Sequence, residues 1–234
     1  MKGRLSQNRD HVNAKVVTKF FTLIFIFVAI LFLSAGTLNW PEAWILLFFY
    51  FLFFGGSLIW LGKNDPGLLA ERMSTKKGVK GWDRIIMGVY AIILLMLFAV
   101  TGLDSIRYGW SKVPVGLKAL GLLGFVISCV WILWVMKENS YLSKMIRIQK
   151  DRGQKVCKTG PYRYLRHPMY AGVILSVFSF PLCLGSFYAL LPSLFIACLF
   201  ILRASLEDKT LRKELPGYQE YAKRVRYKLL PGVW

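Results

Sequence analysis

Residues 151–170 read DRGQKVCKTGPYRYLRHPMY, and this stretch concentrates side chains suited to holding a small polar or anionic molecule. Thr159-Gly160-Pro161 is a turn signal that brings a polar loop back toward the element after it. Pro168 suits the first position of a helix, where its missing N–H costs nothing. His167 then stands at or beside the N-cap, with Arg166 just outside it. The unpaired N–H groups and positive dipole of such a helix start favour a carboxylate or phosphate. Tyr162, Tyr164 and Tyr170 add aromatic faces and hydroxyl groups around the same point. Farther along, Arg203 and Glu207 are four residues apart and share one helical face. Blander readings stand beside these. The loop equally fits a basic, aromatic belt at a membrane surface, and Arg203 with Glu207 a structural salt bridge or a snorkelling anchor.

The elements that must position these residues are membrane helices. The chain has 234 residues, of which 31 are Lys or Arg and 12 Asp or Glu, so its formal charge is +19. Its hydrophobic fraction is 56%, above the roughly 45–50% of soluble domains. That apolar content excludes disorder and leaves too few polar residues to coat a soluble nucleic-acid binder. A membrane helix needs about 20 mostly apolar residues. Candidates run from Phe20 to about Leu38, Ala43 to Leu61, Ile85 to Leu103 and Leu117 to Met136. The first is longer than the apolar core of a signal peptide and reads as an uncleaved helix. Met169 to Leu202 is too long for one crossing, and Pro181, Gly185 and Ser186 interrupt it. It reads as a tight hairpin of two helices, about 169–184 and 187–203. The fold expected is all-α: a polytopic bundle of about six membrane helices with a cytoplasmic loop and a C-terminal amphipathic helix.

Charge orients this bundle. With six crossings, 28 of the 31 basic residues fall on one side, which the positive-inside rule makes cytoplasmic together with both termini. The expected location is the cell's inner membrane. Asp65-Pro66-Gly67 reads as a turn and LLAERM (68–73) as a short interfacial helix in a solvated connector. Lys76, Lys77 and Lys80 would face anionic headgroups. Cys129, Cys157, Cys183 and Cys198 form no CxxC pair, and His11 and His167 are the only histidines, so no metal site is expected. No soluble-type nucleotide fingerprint is present.

TxGPYRYLRHPMYAG (159–172), followed beyond the hairpin by RxxxED (203–208) and a Tyr-rich basic tail, resembles the isoprenylcysteine carboxyl methyltransferase and phospholipid methyltransferase group. These are integral membrane enzymes that use S-adenosylmethionine. The resemblance covers roughly residues 118–231. It implies a division into helices 1–3 with their loops (1–117) and a methyltransferase-like catalytic region (118–234). It further implies that Lys155, Val156 and Cys157 contact the cofactor through backbone atoms and that Tyr162 lines the adenosyl pocket. His167, Pro168, Met169 and Tyr170 would wrap the cofactor. Glu207 would hold its α-amino group and Arg203 would face the methyl acceptor. The family usually shows Glu-Glu where this chain has Glu207-Asp208, and the first carboxylate is kept.

The residue chemistry agrees with that assignment. An α-amine needs an acceptor, which Glu207 supplies, and an α-carboxylate needs donors, which Arg166, His167 and the helix start supply. The expected partners are a lipidic or small apolar methyl acceptor and membrane lipids, without nucleic acid or metal. An acceptor carboxylate needs no base, whereas an amine makes Glu207 or His167 a candidate base. LPGYQEYAKRVRYKLLPGVW (215–234) reads as a kink and an interfacial anchoring helix, with a lid over the cofactor as a second role. Competing readings are an NADPH-dependent sterol or steroid reductase and a transporter or lipid-binding scaffold. The near absence of charge within the spans counts against transport.

Overall fold

The computed structural model describes Thr18, Thr22, residues 24–73 and residues 78–234. Part of the first expected span, beginning with Phe20, lies outside the described residues, as do His11, Lys76 and Lys77. The helices are α1 (Ile24–Ala35), α2 (Pro41–Asn64), α3 (Pro66–Met73), α4 (Gly81–Gly102), α5 (Val115–Glu138), α6 (Pro168–Leu184), α7 (Leu190–Glu214) and α8 (Tyr218–Arg224). Helix α4 continues through one π-helical turn, Leu103–Arg107, and two short 3-10 turns, Lys150–Arg152 and Gly160–Arg163, shape the α5–α6 loop. Among the described residues there is no strand.

Four helices, α2, α4 with its π turn, α5 and α7, are long and apolar enough to cross a membrane; α1 and α6 are apolar but shorter. Together they form the expected helical bundle. Successive helices alternate in direction. Asp83 at the start of α4 meets Arg203 in α7. Asp104, 21 residues and about 30 Å farther along the axis, meets Ser186 in the α6–α7 turn. That length matches a hydrocarbon core. Phe25, Leu33, Phe48, Ile59, Ile85, Ile92, Leu120 and Leu194 are each more than half exposed. Such an apolar surface is stable when lipid covers it.

The hairpin turns at Gly185, whose φ of +88° suits glycine. Ser186 N donates to Pro181 O at 2.8 Å, closing α6 with a Schellman-type bond. Pro181 therefore remains inside α6 and the break falls at the glycine alone. Helix α7 continues past the expected hairpin limit near 203 to Glu214, carrying Arg203 and Glu207 on one helix as their spacing implied, because LRASLEDKTLRKE has good helical propensity and Leu215-Pro216-Gly217 stops it.

Three local expectations change. Helix α3 is no solvated connector: Leu68 has no exposed surface, and the Glu71 carboxylate makes two bonds of 2.8 and 2.7 Å to Arg147. That guanidinium holds the Glu71 carboxyl below its ordinary range despite the opposing effect of burial. Lys80 donates to Glu214 at 2.7 Å, so its ammonium is paired within the protein. Finally, Tyr218, Tyr221 and Ala222 of α8 are buried against Ile148 and Val156 of the α5–α6 loop. The apolar side of α8 thus packs on protein, because the loop offers it a matching apolar surface.

Glycine permits the closest helix approach. A Cβ at Gly121 of α5 would lie 2.9 Å from the Cys183 Cα of α6, a backbone atom that cannot rotate away. Gly116 on the same helix has nothing within 4 Å. Gly121→Ala should therefore lower stability by about 1–3 kcal/mol through overpacking, whereas Gly116→Ala should be neutral or slightly stabilising. Thermal unfolding of both variants in detergent checks this; equal midpoints would contradict the packing described.

Candidate active site

At the end of the bundle that carries α3, α8 and the α5–α6 loop lies a cavity of about 310 Å³. This is within the range of small-molecule pockets. Behind its wall a buried ion pair joins three elements. Asp83 of α4, with no exposed surface, accepts Arg203 Nε at 2.7 Å and Nη2 at 3.2 Å, and also Ile146 N at 2.7 Å. Arg203 Nη2 donates in turn to Lys144 O at 2.7 Å. Its guanidinium lies 5.2 Å from the Tyr170 ring centre and 5.9 Å from that of Phe200, within cation–π range.

One turn farther along α7, Glu207 accepts the Tyr170 hydroxyl at 2.5 Å. Asp208 accepts Arg212 Nε and the Tyr218 hydroxyl, both at 2.9 Å, and lies 3.1 Å from Arg166 Nε. His167 stacks on Tyr170 and stands between the two carboxylates. Its Nδ1 is 3.4 Å from Glu207 and its Nε2 3.7 Å from Asp208, separations at which attraction is mainly coulombic. Burial opposes charging His167, yet Asp208 and Glu207 outweigh it and raise its pKa above the ordinary 6.5.

The loop is clamped from both sides. Asn139, closing α5, donates to the Tyr162 hydroxyl at 2.8 Å, and the Tyr221 hydroxyl donates to Tyr162 O at 2.8 Å. Arg166 N and His167 N donate to Tyr227 O and Lys228 O, each at 3.0 Å. The C-terminal tail thereby holds the signature segment through its backbone. Trp131 Nε1 of α5 donates to Pro168 O at 2.8 Å and fixes the start of α6.

Lys155, Val156, Cys157, Tyr162, Arg166, His167, Met169, Tyr170, Arg203 and Glu207 all line the cavity. Pro168 does not; it initiates α6, and its carbonyl is turned to Trp131. Two relations differ from those suggested by sequence spacing. Arg203 pairs with Asp83 rather than with Glu207, although the latter is its i+4 neighbour. Arg166 pairs with Asp208 and donates to Ala222 O, so its charge is already matched within the protein.

Sequence reasoning missed Asp83, Arg72, Asn139 and the structural part of Asp208. Asp83 had a visible signal, an acid two residues before the apolar run that begins at Ile85, where burying a carboxylate demands a cationic partner. Arg72 and Glu71 carried only the appearance of a polar connector.

Whether this wall fits the cofactor implied by the sequence can be tested on its unsatisfied atoms. Arg166 Nε and His167 Nε2 are buried without a hydrogen bond. Both nitrogens face Asp208, so what matches S-adenosylmethionine in kind is the Glu207 carboxylate, for its ammonium, and the aromatic Tyr162, for its ring system, on one cavity. Among the described residues no group of three or more His, Cys, Asp or Glu is placed to hold a metal ion.

The chain is similar to two curated proteins. The uncharacterized protein YpbQ of Bacillus subtilis is 39% identical over 62 residues, which cover 26% of this chain and 37% of that protein. The cobalt-zinc-cadmium resistance protein CzcN of Cupriavidus metallidurans is 26% identical over 147 residues, 59% of this chain and 61% of that protein. The chain therefore spans less than two thirds of the length of either relative. Residues 117–216 match the family model described as phospholipid methyltransferase, and that segment holds His167, Arg203 and Glu207.

Proposed function

We propose that this membrane methyltransferase moves the methyl group of S-adenosylmethionine to a lipidic or small apolar acceptor. The family match and the apolar helices support the methyltransferase and membrane parts of that statement. The observation that supports the rest is the convergence of the Glu207 carboxylate and the aromatic Tyr162 on one cavity at the end of the bundle. The basic loops around this end support a cytoplasmic orientation, in which the polar cofactor arrives from water and the acceptor from the bilayer.

Bound in this cavity, the cofactor supplies a methyl group on a positively charged sulfur, ready for in-line displacement. The chain's contribution is alignment. Glu207 accepts the ammonium, with Tyr170 fixing the carboxylate's orientation. Tyr162 and Met169 line the face open to the adenosyl group, and the Lys155–Cys157 backbone closes its edge. Arg203, anchored by Asp83, holds its guanidinium in one place and orients the acceptor. When the acceptor is a carboxylate no proton moves; when it is an amine, Glu207 or His167 takes the proton at an oxygen or ring nitrogen.

An apolar acceptor has a place to go. A second cavity of about 160 Å³ lies among the helices, lined by Tyr50, Leu94, Phe98 and Phe180, and Tyr90 stands in the wall of both cavities. This adjacency supports an acceptor with an apolar portion.

Two measurements test the reading. Glu207→Gln should weaken S-adenosylhomocysteine binding about 10–100-fold, the loss of one charge-assisted contact. Calorimetry in detergent reads it, and unchanged affinity in a folded variant would sink the assignment; selective binding of NADPH would favour a reductase instead. The second is a pH series. A raised folded-state pKa at His167 contributes stability that is complete below the unfolded value near 6.5 and lost as pH rises through the folded value. The unfolding midpoint should therefore fall as pH is raised above about 6.5, and His167→Gln should flatten that slope.

A further inference from the structure

The side chains first assigned to the cofactor's α-carboxylate, Arg166 and His167, already face carboxylates of the protein. Arg166 is matched by Asp208, Arg203 by Asp83, and His167 faces two carboxylates. One guanidinium on the cavity wall is different. Arg72, at the end of α3, lines the cavity and donates through Nη1 to Leu142 O at 3.1 Å. No carboxylate among the described residues pairs with it. It lies close enough to Tyr162 and Arg203 to feel their charges, and burial brings its pKa down to about 10, so it stays cationic at neutral pH.

Its position is built rather than accidental. Glu71, the preceding residue, is locked to Arg147, whose guanidinium also bonds Asp151 at 2.7 Å. Helix α3 is thereby pinned to the α5–α6 loop, with Leu68 fully buried beneath it. Adjacent helical residues point about 100° apart, so fixing Glu71 on the loop fixes the direction of Arg72. A cation held in a partly dehydrated cavity, with a carbonyl as its hydrogen-bond partner among the described residues, is costly until an anion joins it.

We propose that Arg72 is the carboxylate-receiving residue of this cavity. It lies outside residues 117–216, so the N-terminal half of the chain would complete a cavity whose other proposed ligand contacts, Glu207 and Tyr162, lie within that matched segment. The inference rests on the methyltransferase reading for its ligand chemistry. The carboxylate has two sources, the amino-acid portion of the cofactor or an acidic acceptor. A planar guanidinium accommodates either with two parallel hydrogen bonds.

The test compares wild type with Arg72→Gln, whose amide retains a donor for Leu142 O. Each is titrated with S-adenosylhomocysteine and its decarboxylated analogue, and with N-acetyl-S-farnesylcysteine and its methyl ester. If Arg72 holds the cofactor carboxylate, the variant binds S-adenosylhomocysteine about 10–100-fold more weakly and the decarboxylated analogue unchanged. If it holds an acceptor carboxylate, the variant loses wild type's preference for the acid over the ester while S-adenosylhomocysteine is unaffected. Unchanged preferences in both pairs, with an unfolding midpoint like wild type's, overturn the proposal and leave the methyltransferase reading intact. Failure of wild type itself to bind S-adenosylhomocysteine removes the reading, and the acid–ester pair then decides Arg72 separately.

Discussion

A carboxylate with no exposed surface at the start of a membrane helix must find every partner inside the protein, and Asp83 does so by joining three parts of the chain. Its two oxygens receive Arg203 from α7 and a backbone N–H from the loop at Ile146, while Arg203 bonds back to the loop at Lys144 O. Removing either charge would leave the other buried and uncompensated, at a cost of about 3–5 kcal/mol. The pair therefore constrains where α4, α7 and the α5–α6 loop meet. The cavity exists because these three meet there, and Arg203 can be a fixed wall element because its charge is already balanced.

The same logic organises the surrounding residues. Glu71–Arg147 ties α3 to the loop, Asp208 gathers Arg166, Arg212 and Tyr218, and the tail holds residues 166 and 167 by their backbone. A polar loop lacking regular secondary structure cannot satisfy its own donors and acceptors, so neighbouring elements must do so. Helix α8 has a second part in this. Its tyrosines cover the loop's apolar side and its Tyr221 hydroxyl reaches Tyr162 O, so it is a structural wall of the cavity. At the opposite end, Asp104 accepts Ser111, Ser186 and the Tyr188 N–H, latching the hairpin turn to the end of α4. The two ends are fixed by buried carboxylates and the length between them by close-packed apolar helices, in which Gly121 permits the tightest approach.

Much of this was legible in the residues. Apolar runs of about 20 residues declare membrane helices, since lipid offers the backbone no alternative partner. Gly185 marks the hairpin, Pro168 marks the start of α6, and the segment 155–170 supplies eight of the residues that line the cavity. These features depend on local backbone preference and on hydrophobicity, both of which act over short sequence distances. Charge pairing does not. The i+4 spacing of Arg203 and Glu207 suggested a partnership, but the partner came from 120 residues away, because a fully buried carboxylate outcompetes a more accessible one for a guanidinium. LLAERM looked like solvated linker because nothing nearby in sequence announces that Arg147 and Leu142 O will sit against it. The sequence by itself determined the membrane helices, their alternation and the stretch that carries the site. Only the tertiary structure decided which charges pair, and that the Arg72 guanidinium faces the cavity with no carboxylate partner among the described residues, since that follows from three-dimensional proximity in a low-dielectric interior.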